Sequence, residues 1–315
     1  MEAHASRLDN NLALVLGGGG ATGNGWEIGV LAGFDHAGIR VANDAGVIIG
    51  TSAGATTATQ VSGNVSLSDL YEQAVAPAPT STGRSQQRSA PAIPVSTVFD
   101  RMRQISANAH SAQDIRAGMG TFALECDPVL ADSADAWRAT VESRFPARSW
   151  PEQRHLITAV NAHTGELVAF DRSSDVDLVD AVTANCSLPG GVASREINGE
   201  RFIDGGAHSA ENVHLASGYR HVVVLAPLAR HPGSEGHATM FEGLRREPAW
   251  GTELFSCIED LEAGGSSVLL LTPSPAVLEA MGGNNMNPAA RAATAQAGFR
   301  QGVESARSLG QFLES

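Results

Sequence analysis

The stretch LALVLGGGG, residues 12–20, constrains the fold of this chain more than any other. Five apolar residues between Asn10-Asn11 and four glycines read as a short strand buried on both faces, as in parallel sheets. After it, Trp26, Val30, Leu31 and Phe34 recur at helical spacing, and Gly38 marks a helix end. Residues 47–49 repeat the short buried strand, and residues 53–61 read as helix. Strand, glycine loop, helix, strand, tight turn and helix make the opening of an α/β sheet. Further helices are expected over 99–115, 134–145, 176–184 and 289–313, the last broken near Gly298 or Gly302. Further strands are expected over 156–160, 167–170, 201–204, 221–226 and 267–271, the first two forming a hairpin-like pair.

Composition narrows the function classes. An apolar fraction of 43% supplies a sizeable core, and with aromatics at 5% it must be built mostly from Ala, Val and Leu. Lys and Arg number 21 against 34 Asp and Glu, a net charge of −13. That balance, with no basic cluster, argues against nucleic acid and against bulk attraction to anionic membranes. No apolar run reaches the length of a membrane span. The first residues lack a basic region followed by an apolar one, so no signal peptide is expected. Cys126, Cys186 and Cys257 are widely spaced, with no disulfide or zinc pattern. They read as small buried apolar residues, and the expected location is cytoplasmic, with peripheral membrane contact through a local patch or lid. No cofactor and no metal are expected. Residues 76–94, rich in Pro, Ser, Thr and Gln, read as a flexible or lid-like excursion whose Arg84 and Arg88 are suited to a lipid phosphate.

Three segments carry residues suited to chemistry. Gly50-Thr51-Ser52-Ala53-Gly54 is a G-x-S-x-G sequence between an expected strand and helix. A serine on such a turn has an exposed hydroxyl at the positive end of a helix, and the flanking glycines admit close backbones. The plain alternative is a serine that only caps the helix. Gly17 to Gly20, with Gly23 and Gly25 beyond, present backbone N–H groups to an anion. That anion is either a phosphate or the oxyanion of an acyl-transfer intermediate, unless the glycines serve only a tight turn. Gly18, Gly20 and Gly23 also satisfy a dinucleotide pattern, with Asp44 downstream, but no Gly-Lys-Ser/Thr ending follows. Asp204-Gly205-Gly206 puts a carboxylate at the end of an expected strand, where open sheets hold their sites, or else makes an Asx turn.

Together, and in this order, these motifs resemble the patatin-like phospholipase family. Gly18 to Gly23 followed by Gly29-Val30-Leu31 is similar to its glycine loop and following helix. Gly50 to Gly54 is similar to its nucleophile elbow, and Asp204-Gly205-Gly206 to its dyad motif. Ser187-Leu188-Pro189-Gly190 resembles the segment that precedes the dyad aspartate. The resemblance covers most of the chain and implies a three-layer α/β fold with a mostly parallel central sheet. It implies a lipid acyl hydrolase, of phospholipase A, lysophospholipase or esterase type, in which Ser52 attacks an ester and Asp204 activates it. Gly18, Gly19 and Gly20 would hold the oxyanion. Ser52 and Asp204 lie 152 residues apart and must meet, so residues 1–315 are expected to form one domain.

One departure is visible. The family's glycine loop usually carries Arg where this chain has Thr22. Backbone donors do not depend on that side chain, so hydrolysis stays available, and the change bears on head-group preference. A catalytically quiet family member also stays open. Two further readings stand beside the dyad. An ordinary α/β-hydrolase order would use Ser52, Asp180 and His208, with His214 and His221 following. A non-hydrolytic anion- or nucleotide-binding protein would use the glycine loop alone. Acyl-chain preference and oligomeric state are not encoded in any motif.

Overall fold

Every residue of the first strand, β1 (Leu12–Leu16), is buried. The structure, a computed structural model, describes residues 11–63, 65–76, 93–145, 148–229, 240–241, 244 and 246–315. After β1 come α1 (Gly20–His36), α2 (Val41–Asp44), β2 (Val47–Gly50) and α3 (Ala53–Val61). Four helices follow: α4 (Leu67–Val75), α5 (Val95–Asn108), α6 (Ala112–Leu130) and α7 (Ala134–Glu142). The chain then forms β3 (Arg154–Asn161), β4 (Leu167–Phe170), α8 (Leu178–Asn185), β5 (Arg195–Ile197) and β6 (Glu200–Asp204). It ends with β7 (His221–Leu225), α9 (Leu254–Ala263), β8 (Ser267–Leu271), α10 (Pro275–Met281) and α11 (Arg291–Glu314).

The strands make one sheet in the order β5-β6-β3-β2-β1-β7-β8, with β4 also paired to β3. From β3 through β2, β1 and β7 to β8 all neighbours run parallel. Strands β4 and β6 run antiparallel to β3, and β5 antiparallel to β6. The chain winds outward from β1 to β2 and β3, then later lays β7 and β8 on the opposite side. Beyond the carboxyl ends of the strands at such a reversal, an open sheet leaves a crevice. The glycine loop after β1 lies there.

Alternation along β1 divides the core into two layers. Leu12, Leu14 and Leu16 join Trp26, Val30 and Phe34 of α1 and Leu309 of α11 on one face. Ala13 and Val15 join Val47, Ile49, Val222 and Val224, with Leu254 and Leu261 of α9, on the other. The result is the three-layer α/β fold with a mostly parallel sheet.

Several boundaries differ from the sequence expectation. Helix α1 begins at Gly20, six residues before the apolar periodicity, because tertiary packing overrides the low helix propensity of glycine. A Cβ on Gly25 would come 2.7 Å from the Arg291 carbonyl, one on Gly33 2.5 Å from that of Phe299, and one on Gly29 would strike that of Ala295. In return, Gly298 and Gly302 of α11 sit against the Trp26 and Val30 carbonyls. Helix α11 is therefore continuous where a break was expected, since its glycines serve close helix contact. The helix expected over 99–115 is two helices. Ser111 ends the first possibility of continuation by capping α6, its hydroxyl accepting from the Asp114 N–H at 3.1 Å. Strand β5 and helices α4, α9 and α10 were not anticipated. The excursion expected at 76–94 falls on residues 77–92, outside the described residues.

Candidate active site

Ser52 joins β2 to α3 with φ 53° and ψ −113°, a conformation rare for a residue with a side chain. The close fit of this turn explains its glycines. A Cβ on Gly50 would lie 2.5 Å from the Ala55 Cα, and one on Gly54 would enter the Leu16 carbonyl at the end of β1. The first turn of α3 directs its positive dipole end toward Ser52, and the Ala53 N–H has no acceptor among the described residues.

Beside it runs the glycine loop. The Gly17 N–H donates to the Leu225 carbonyl at 3.0 Å, and the Gly18 N–H to the Ala210 carbonyl at 2.7 Å. The Gly18 donor is thus used within the fold, contrary to its expected oxyanion role. Gly19 and Gly20, at the mouth of α1, have no acceptor for their N–H groups among the described residues. Thr22 is fully buried, and its N–H donates to the Asn285 carbonyl at 3.1 Å. The Asn285 side-chain amide donates in turn to the Thr22 hydroxyl at 3.3 Å. Where the family usually has Arg, this chain therefore ties its glycine loop to the segment before α11.

Asp204 ends β6, its N–H donating to the Ser187 carbonyl at 3.0 Å, so the Ser187-Leu188-Pro189-Gly190 segment helps place it. Its Oδ1 accepts from the Gly206 N–H at 2.8 Å. The carboxylate is almost fully buried, and loss of hydration pushes its pKa up from 3.8 to about 6. The Gly206 N–H bonded to it and the nearby Ser52 hydroxyl hold that rise in check. The structure thus places Ser52 and Asp204 near each other, both lining one cavity.

Beneath the pair lies a buried polar brace. The Thr51 and Thr158 hydroxyls are 3.1 Å apart. The Asn212 amide donates to the Thr51 hydroxyl at 3.0 Å and the Ser209 carbonyl at 2.8 Å. The Asn185 amide donates to the Thr158 hydroxyl at 3.1 Å. This brace locks the elbow, β3 and the Asp204 turn together. Thr158, Asn185 and Asn212 were missed from sequence, because nothing local marks residues whose partners are distant along the chain. In the fold Asn212 takes a left-handed φ of 54°, which Asn tolerates well.

Arg246 fastens the same turn. Its guanidinium donates to the Gly206 carbonyl at 2.7 Å, Ala207 at 3.0 Å and His208 at 2.8 Å. Burial lowers its pKa to about 10, and Glu211 opposes that fall. Burial likewise raises Glu211 to about 7, with Arg246 opposing.

Ser52, Asp204 and Gly18 to Gly20 face one cavity of about 1090 Å³. Its walls differ in character. Met102, Met119, Leu188 and Phe241 form an apolar side, and Asn24, Gln60, Arg144 and Arg291 a polar one.

The rival residues are placed elsewhere. The Asp180 carboxylate is held by Arg138 Nε at 2.6 Å and by Arg195 at 2.8 Å. His208 Nδ1 accepts from Arg116 at 3.0 Å, and burial with nearby cations depresses its pKa to about 3. Neither lines the cavity. Asp44 is exposed at the end of α2. The cysteines are buried and free. Cys186, whose thiol donates to the Ser52 carbonyl at 3.4 Å, is pushed by burial to about 11 and stays protonated.

Among the described residues no helix is long and apolar enough to cross a membrane. No curated protein matches the sequence. Among solved structures, VipD from Legionella pneumophila is similar over 95% of this chain and 67% of its own, at 13% identity and a TM-score of 0.43. The family model for patatin-like phospholipase matches residues 14–217, more than half of the chain. This chain belongs to the patatin-like phospholipases, a family of lipid acyl hydrolases.

Proposed function

We propose that the protein hydrolyses carboxylic esters of lipids through an acyl-enzyme on Ser52, with Asp204 as the base and no histidine. The observation that carries this reading is the placement of Ser52, at the strained elbow, beside the buried Asp204 carboxylate in one cavity, close enough for the hydroxyl to lower the Asp204 pKa. In the first step the Ser52 Oγ forms a bond to the ester carbonyl carbon as its proton passes to Asp204. The tetrahedral intermediate collapses, the ester C–O bond breaks, and Asp204 returns the proton to the leaving alcohol. Water then adds to the acyl group with Asp204 again as base, releasing the fatty acid and restoring Ser52.

The developing oxyanion is held by the N–H groups of Gly19, Gly20 and Ala53, the residue after the nucleophile. Ala53 was not among the residues expected from sequence. Its N–H, like those of Gly19 and Gly20, precedes the intrahelical hydrogen bonds of its helix. The apolar wall at Met102, Met119 and Phe241 suits an acyl chain. Residues 1–315 act as one domain in this reading. It is supported by β7 pairing with β1, and by α11 packing on α1, both from beyond the matched family region. Membrane contact, where it occurs, is transient and local.

Steady-state hydrolysis of p-nitrophenyl octanoate by the wild type, Ser52→Ala, Asp204→Asn and His208→Ala tests the assignment. Ser52→Ala and Asp204→Asn are expected to lose roughly 1,000-fold or more in kcat, and His208→Ala only a few-fold. Turnover that persists in Asp204→Asn and disappears in His208→Ala overturns the dyad in favour of a histidine-based triad.

A further inference from the structure

Beside the apolar residues, Arg144 and Arg291 line the same cavity as Ser52. Arg291 opens α11, and its Nε donates to the Asn24 Oδ1 at 3.0 Å. The Asn24 amide donates to the Gln60 Oε1 at 2.9 Å, and the Gln60 amide to the Arg144 carbonyl at 2.8 Å. This chain of bonds holds the two arginines on one polar wall. The Arg144 guanidinium lies 4.8 Å from the centre of the Trp137 ring, which orients it. Both arginines line the cavity, together with Asn24, Gln60 and Trp137.

Among the described residues neither arginine has a carboxylate partner. The protein has ion pairs for Arg103, Arg138, Arg148, Arg195 and Arg201, but none for these two. The two cations also repel each other, and Arg144 adds to the effect of burial in lowering the pKa of Arg291. Arg144 further acts on Cys186, whose thiol touches the Ser52 backbone. Two unneutralised guanidinium groups close enough to repel, beside a nucleophile, make a site whose electrostatics improve when an anion arrives. In a chain of net charge −13, an uncompensated cationic pair inside the substrate cavity stands out.

We propose that Arg144 and Arg291 form an anion subsite on the polar part of the cavity lining, one that takes a phosphate or carboxylate carried by the ester substrate. The subsite rests on the Ser52 hydrolase reading and deepens it. The acyl chain lies against Met102, Met119 and Phe241, the scissile carbonyl reaches Ser52, and the anionic group of the alcohol portion meets the arginines. The planar guanidinium forks give a phosphate paired donors, which a single ammonium does not.

A matched pair of esters tests this. Dihexanoylphosphatidate and dihexanoylglycerol differ in the phosphate alone. Their kcat/KM ratio is measured for the wild type, Arg144→Gln, Arg291→Gln, the double variant and the two Lys variants. The ratio is expected to favour phosphatidate in the wild type and to fall roughly 10- to 100-fold in the double Gln variant, the value of charged hydrogen bonds. Each Lys variant keeps the charge but not the fork and is expected to fall between the wild type and its Gln counterpart, which guards against a Gln variant that misfolds. Added salt is expected to weaken the preference. Inorganic phosphate is then tested as a competitor of dihexanoylglycerol cleavage. Inhibition in the wild type that is lost in the double variant assigns the subsite to free phosphate as well as to head groups. Phosphatidate preference without such inhibition assigns it to lipid head groups. A ratio unchanged in the double variant, with both esters still cleaved, overturns the subsite and leaves the hydrolase standing. Cleavage of both esters that persists in Ser52→Ala overturns the underlying hydrolase reading instead.

Discussion

Asp204→Asn is predicted to abolish hydrolysis and at the same time to stabilise the fold. Burial raises the Asp204 pKa from 3.8 to about 6 even with the Gly206 N–H and the Ser52 hydroxyl drawing it down. Each unit is worth about 1.36 kcal/mol, so keeping the carboxylate ionised in the folded state costs about 3 kcal/mol. The sign follows from proton binding. Between pH 3.8 and about 6 the folded chain holds this proton and the unfolded chain does not, so stability falls as pH rises through that window. Above it the full cost is present, and below pH 3.8 it vanishes. Asparagine is nearly isosteric, keeps an oxygen for the Gly206 N–H now bonded at 2.8 Å, and carries no charge. At roughly 2.1 cal/mol/K of unfolding entropy per residue, about 3 kcal/mol on a 315-residue chain raises Tm by about 4–5 °C. Thermal melts of both proteins are compared at pH 8 and at pH 4. The gain is expected at pH 8 and nearly absent at pH 4. An Asp204→Asn protein that melts below the wild type at pH 8, or a gain independent of pH, would refute the reasoning.

Other consequences are equally direct. With Asp204 as the proposed base, which must be ionised to take the Ser52 proton, kcat/KM is expected to fall tenfold per pH unit below about 6 and to level off above it. Glu211, raised to about 7 in the same cavity, is separated by repeating the profile in Glu211→Gln, where the limb near 6 is expected to remain. Gly29→Ala pushes a methyl into the Ala295 carbonyl of α11 and is expected to cost about 1–3 kcal/mol or more by urea denaturation. Arg246→Met removes three carbonyl contacts and leaves Glu211 without its facing cation. It is expected to lower kcat and to destabilise by roughly 3–5 kcal/mol, read by activity and chemical denaturation. The three buried cysteines are expected to react with a thiol reagent only after unfolding, as followed by absorbance.

The parts of the molecule legible in its sequence are those where chemistry forces local composition. The strand Leu12–Leu16, doubly buried, had to be apolar throughout. The elbow required glycine at Gly50 and Gly54, since backbone from Ala55 and Leu16 fills the space of any Cβ. Asp204 was marked by its strand and by the glycines after it. What escaped depends on tertiary neighbours. The glycines at the start of α1 read as loop, because their role lies in contacts distant along the chain, Gly20 against Asn285, Gly23 against Pro227 and Gly25 against Arg291 of α11. Gly18 was counted as an oxyanion donor, because no pattern reveals that the Ala210 carbonyl takes its N–H. Helices α9 and α10 escaped for lack of a long apolar stripe. Asn185, Asn212 and Arg246 are polar residues with ordinary surroundings in sequence, and only folding converges them on the Asp204 turn.

The claim that Ser52 is the nucleophile is tested most directly by trapping the acyl-enzyme. Wild-type protein is mixed with a slowly deacylating p-nitrophenyl ester, quenched in acid, and analysed by peptide mass spectrometry. The expected result is one acyl group on the peptide containing Ser52, formed with a stoichiometric burst of p-nitrophenol, absent in Ser52→Ala and strongly slowed in Asp204→Asn. An acyl group on any other residue, or a burst that survives Ser52→Ala, contradicts the claim.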